Sequence, residues 1–222
     1  MTLVLAAHGT RDPAGGRVIH DLADRIRRRL STVDVRIAFA DVTSPSVTEV
    51  LRSVDGPAVV VPAFLASGYH VRVDIPEQVE RSGHGSVTIT EPFGPAPTLV
   101  GAVHQRLVEA GWLAEPVIFA AAGSSDPRAL ADVRRAAELL AARTGSTVHI
   151  GYITTATPKV TDLVRGTKFA VASWLLAPGL FHRVLRDTGA KVAEPIGAHD
   201  NAVDLVIRRY RSCVPRLSRP AR

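Results

Sequence analysis

One cysteine, Cys213, stands among the 222 residues. A single thiol forms no internal disulfide, provides no cysteine-based metal site, and fits a reducing cytoplasm. No apolar run reaches the about 18 residues that a membrane helix requires. The opening MTLVLAAHGTRDP has no basic segment before its short apolar stretch, so no secretory leader is expected. Zinc-finger and RNP-type patterns are missing as well. Acidic residues are in the minority, 21 Asp and Glu against 27 Lys and Arg, for a net charge of +6. That balance favours an anionic partner, either nucleic acid or a polycarboxylate or phosphorylated small molecule. Much of the excess lies in RRYRSCVPRLSRPAR, which reads as a helix end followed by a flexible basic tail over 214–222. Apolar residues make up 46 % of the chain, enough for a packed core and against disorder.

Short β-rich runs alternate with helical patterns. LVLAA (3–7) reads as a strand, and GGRVIHDLADRIRRRL as an amphipathic helix with Val18, Leu22, Ile26 and Leu30 on one face. VRIAFA, PSVTEVLRSV, AVVVPAF, IPEQVERS, SVTITE and APTLVGAVHQRLVEAGW continue the alternation. Such a pattern predicts an α/β fold with a parallel sheet covered on both faces.

The pattern then begins again. VIFAAAGSSDP (117–127) matches LVLAAHGTRDP (3–13), and VHIGYITTATPKVTDLV (148–164) matches VRIAFADVTSPSVTEVL (35–51) without a gap. FAVASWLLAPGLFHRVL and VAEPIGAHDNAVDLVIRRY match VVVPAFLASGYHVRV and ITEPFGPAPTLVGAVHQRL more loosely, in the same order. The chain is an internal duplication, predicted as domains 1–113 and 114–213 joined near Gly111–Glu115. Features kept in both halves, such as Asp12-Pro13 with Asp126-Pro127 and Gly9 with Gly123, have backbone reasons. The polar differences mark the chemistry. His8 is matched by Ala122, Asp41 by Thr154 and His70 by Phe181.

All three first-half residues follow the carboxyl ends of predicted strands, where open α/β sheets bind ligands. His70 falls in a loop opened by Ser67 and Gly68. Two imidazoles and a carboxylate suit a divalent transition metal and do not choose among Fe, Co, Ni and Zn. With so few ligands, coordination positions stay open. Asp41 is open to a second reading, as a helix cap. Arg11 either pairs with Asp12 or binds an anion. Arg72 recurs as Arg183, which favours a structural role, and Ser67, Gly68 and Tyr69 either offer backbone N–H groups to a ligand or make the turn.

LVLAAHGTRDP, AFADVTSPSV and above all PAFLASGYHVRVDIP resemble the class II chelatases of the CbiX/SirB type, across most of 1–108. The second half resembles the degenerate second domain of the longer bacterial members. The resemblance implies a chelatase fold of two flavodoxin-like α/β domains facing each other across a cleft. It implies a lyase-type enzyme acting on sirohydrochlorin, with metal bound at His8 and His70. The family usually has Glu where this chain has Asp41. Catalysis would fall to His8, His70 and Asp41, and substrate binding to Arg11, Ser67, Gly68, Tyr69 and Arg72. A divalent metal, Fe2+ or Co2+, is then a substrate, and no tightly bound cofactor, nucleic acid or membrane is expected. Imidazoles hold metal only while neutral, so activity is expected to fall in acid. Shorter members dimerise to complete the cleft, which the duplication would replace in a cytoplasmic monomer.

Iron insertion, giving sirohaem, is the preferred expectation, since no His-rich tail is present. Cobalt insertion for cobalamin is the alternative. A tetrapyrrole or metal carrier without turnover is a reading of another class, and a basic nucleic-acid-binding module a further one. AHGTRD is also similar to the core of histidine phosphatases, but Ala7 stands where that core has arginine.

Overall fold

The structure, a computed structural model, describes residues 1–165 and 168–214. From residue 215 on, the expected basic tail lies outside the described residues.

The first half runs β1 (Thr2–Ala7), α1 (Pro13–Arg29), β2 (Val35–Phe39), α2 (Val47–Arg52), β3 (Ala58–Pro62), a π-helical turn (His70–Asp74), α3 (Ile75–Ser82), β4 (Val87–Ile89) and α4 (Pro97–Glu109). The second repeats it with β5 (Val117–Ala121), α5 (Pro127–Thr144), β6 (Val148–Tyr152), α6 (Val160–Leu163), β7 (Ala170–Trp174), α7 (Leu180–Arg186), β8 (Lys191–Val192) and α8 (Asp200–Cys213). Each half builds one parallel four-stranded sheet, in the orders β2-β1-β3-β4 and β6-β5-β7-β8. The central strands are apolar throughout because both faces are covered. In β1, Leu3 and Leu5 point to one side, while Val4 and Ala6 point to the other, onto α2 and α3. The outer face of the second sheet is covered likewise, by α6 and α7 through Val160 and Leu185.

The inner faces of the two sheets share a single core. Leu3, Leu22, Ile26, Leu99, Phe119, Leu140, Trp174 and Val206 belong to one continuous cluster. It is built by α1, α4, α5 and α8, with α4 lying against β7 and α8 against β3. Each half thus lends its last helix to the other half's sheet. Burying each such Leu, Ile or Phe contributes about 1.5–3 kcal/mol, so separating the halves would expose a large part of the core.

The recurrent Asp-Pro pairs are helix starts. Asp12 accepts from Ala14 N and Asp126 from Arg128 N, and Pro13 and Pro127 occupy the first helical position, where no N–H is needed. Ser46 caps α2 in a capping box with Glu49.

Candidate metal centre

His8 is the first residue past β1, Asp41 the second past β2, and His70 follows β3 by eight positions. These strands are neighbours in the sheet. His8 and His70 flank the point between β1 and β3 where the strand order reverses, the crevice that doubly wound sheets use for ligands. One ligand atom from each of His8, Asp41 and His70 lies within 4.8 Å of the others. It is the one such group among the described residues. His8 and Asp41 are exposed and His70 is half-buried, so the group opens to solvent on one side.

The backbone brings the loops together. Asp41 N donates to His8 O at 3.0 Å, and Thr10 N to Thr43 Oγ1 at 3.1 Å. Gly9 makes this approach possible. Its φ is +94°, and a Cβ there would stand 2.1 Å from Asp41 O. Val42 holds φ 65°, the left-handed region that a β-branched residue avoids, while its N–H donates to Asp41 Oδ1 at 2.7 Å. This bond orients the carboxylate within its own loop. The alternative of Asp41 as a helix cap is not what the structure shows, since Ser46 caps α2.

Both imidazoles are aimed by a neighbour. His8 Nδ1 lies 3.1 Å from Gly9 O, and His70 Nδ1 is bonded to Asp74 Oδ2. A carbonyl or carboxylate only accepts, so each Nδ1 carries a hydrogen, and in the neutral ring that leaves Nε2 as the nitrogen with the lone pair. The rings meet edge to face with centroids 4.5 Å apart, and Phe64 stands about equally close to both, at 6.2 and 6.0 Å. His70 was expected in a loop. Instead it opens the π-helical turn, where Ile75 N bonds back to His70 O. The helix continues into α3, and its i,i+4 spacing sets Asp74 under the ring. The sequence hides Asp74, because DIP reads as the start of a helix at Ile75. The signal that marks it is the His-x-x-x-Asp spacing, which has meaning only in a helix that starts at His70.

Other expected residues are placed differently. Ser67 N–H is not free for a ligand, because it donates to Asp132 of the second half at 2.7 Å. Gly68 O accepts from Arg72 N. Tyr69 is exposed beside the site. Arg11 is exposed, and Asp12 is paired with Arg183 rather than with Arg11. Arg72 donates to Ser67 O and to Asp126 of the second half. No sequence signal pointed to Asp132, which meets Ser67 only through the packing of α5.

The second half has no ligand at the equivalent positions, where Thr154 Oγ1 donates to Ala122 O at 2.6 Å. It supplies a wall instead. A cavity of about 450 Å3 opens beside His8, with Thr10, Ile19 and Phe39 on one side and Leu176, Leu180 and Phe181 on the other. The lining is mostly apolar and has the size of a small-molecule site. A polar hollow of about 700 Å3 lies elsewhere, at Asp21, Arg25, Arg106 and Asp200. There Arg25 and Asp200 pair with each other at 3.0 Å, and His8, Asp41 and His70 take no part in its lining.

Among the described residues no helix is long and apolar enough to cross a membrane. The chain is 23 % identical over 237 residues to a sirohydrochlorin ferrochelatase of Priestia megaterium, covering 95 % of this chain and 89 % of that one. It is 30 % identical over 123 residues to a sirohydrochlorin cobaltochelatase of Methanosarcina barkeri, covering 49 % of this chain and 95 % of that one. Its fold superposes on SirB from Bacillus subtilis with Fe3+, with a TM-score of 0.81, 21 % identity, and 96 % and 95 % of the two chains covered. The model of the CbiX family matches residues 2–110 and again 116–213, so the chain belongs to the CbiX family, with the family's unit present twice.

Proposed function

We propose that this chain is a sirohydrochlorin chelatase that inserts a divalent metal into the macrocycle held between its halves. The observation that carries the reading is the asymmetry of the duplication. His8, Asp41 and His70 converge in one half, and the other half faces the cleft with Leu176, Leu180 and Phe181. A flat apolar ring fits between such walls, with its nitrogens turned to the Nε2 lone pairs.

His8 and His70 hold the metal through Nε2, and Asp41 adds an oxygen or takes a proton. Insertion forms metal–nitrogen bonds as the protein ligands let go, and two pyrrole N–H protons leave for each M2+ that enters. In this reading Asp41 receives one, and the open side of the site passes protons to water. A site with few protein ligands suits a metal that must be handed on.

We assign Fe2+ as the metal, which gives sirohaem. The support is the relative named a ferrochelatase, which aligns with 95 % of this chain, against 49 % for the cobaltochelatase. Cobalt is the second reading, since imidazole and carboxylate ligands accept both. The test is anaerobic mixing of the protein with sirohydrochlorin and either Fe2+ or Co2+, followed by the absorbance change on metallation. Acceleration over the protein-free mixture is expected with both metals and is greater with iron. No acceleration with either metal, despite tight macrocycle binding, would favour a carrier.

A further inference from the structure

Two ion pairs bridge the halves beside the cleft, and they are copies of one another. Arg72 of the first half binds Asp126 of the second, and Arg183 of the second binds Asp12 of the first at 2.7 Å. The partners are duplicates, because each aspartate precedes the proline that opens a long helix and each arginine stands two residues past His70 or Phe181. Even the atoms correspond. In both aspartates Oδ1 caps the helix, accepting from Ala14 N or Arg128 N at 2.9 Å, and Oδ2 receives the arginine. The helical turns that begin at His70 and at Leu180, beside Phe181, therefore each rest on the first turn of the opposite half's helix. Gly68 lies against Ala129, and Gly179 against Asp12.

These bonds are not what holds the halves together, since the shared core does that. The arginine side chains retain 34 % and 61 % of their exposure, and ion pairs so open to water are weak and exchangeable. A guanidinium is a planar fork matched to carboxylates of any origin. When it leaves, the aspartate keeps its helix N–H on Oδ1 and can take water on Oδ2.

We propose that Arg72 and Arg183 are specificity residues for the carboxylates of the substrate, and that Asp12 and Asp126 are internal stand-ins which the substrate displaces. This rests on the chelatase reading, which supplies a polycarboxylate ligand. It gives the metal-free half a share in recognition through Arg183. It also explains why an arginine recurs in both halves when the ligand histidine does not. A macrocycle without peripheral carboxylates would leave both pairs closed and bind weakly.

The test is a mutant cycle on the dissociation constant of sirohydrochlorin, measured by absorbance titration without metal. It compares wild type, R72Q/R183Q, D12N/D126N and the fourfold variant. Asparagine caps a helix as well as aspartate, so the caps survive. The arginine variant is expected to bind about tenfold more weakly, and the aspartate variant about threefold more tightly because the competitor is gone. In the arginine-free background the aspartate changes should add nothing. If both double variants weaken binding, the pairs are a static clamp and the proposal fails. If D12N/D126N gives the same gain in both backgrounds, the effect is general charge and the proposal also fails. The titration needs no turnover, so a protein that shows the expected cycle but inserts no metal would refute the chelatase reading alone.

Discussion

Asp74 makes the most specific claim at the scale of single residues. Its carboxylate holds His70 Nδ1 and so leaves Nε2 as the nitrogen open to a ligand. Asp74→Ala should raise the KM for metal about tenfold to a hundredfold, as losses of such partners do. The Kd of the macrocycle should stay unchanged, and a titration showing both weakened alike would mean that the helix itself had shifted. His8, Asp41 and His70 were legible in the sequence because the duplication set them against Ala122, Thr154 and Phe181. Asp74 has no such contrast to betray it, and it depends on a helix that begins five residues earlier than its apolar pattern shows. Arg72 and Ser67 were visible as loop residues. Their partners Asp126 and Asp132 were not, because those contacts cross between halves far apart in sequence.

The decisive elements are the strand ends. The parallel sheets and most helices were legible because strands buried on both faces read as continuous apolar runs, and the long helices carry clear apolar stripes. The exchange of α4 and α8 between halves was not, because an apolar stripe does not say which sheet it will cover. The strand ends depend on Gly9, where the loop after β1 crosses the loop after β2. Gly9→Ala would push a methyl group into Asp41 O and force a left-handed backbone on alanine. It should cost more than about 1 kcal/mol of stability and separate His8 from Asp41. Thermal unfolding and metal titration should therefore both suffer. A variant with unaltered metal affinity would show that the loops can part without harm to the site.

At the scale of the whole molecule, the halves are joined by a tethered connection and a common core. Glu115 accepts from Lys191 at 2.7 Å and from Leu113 N at 2.6 Å, and Lys191 also reaches Gly111 O at 2.7 Å. The Lys191 ammonium, and then the Leu113 N–H, hold the Glu115 carboxyl down from the ordinary 4.5 to about 2. A depressed folded value means that this stabilisation is fully present above about 4.5 and is lost as the pH falls through about 2. Melting temperature should drop across that window, and less steeply in Glu115→Gln; equal slopes would show that the tether contributes nothing. The central claim is that one half's imidazoles insert metal across a cleft walled by the other. Its most direct test is the initial rate of anaerobic sirohydrochlorin metallation by wild type, His8→Ala and His70→Ala. Each variant is predicted to lose at least about a hundredfold in rate while binding the macrocycle as tightly as wild type. Variants as fast as the wild type would contradict the account.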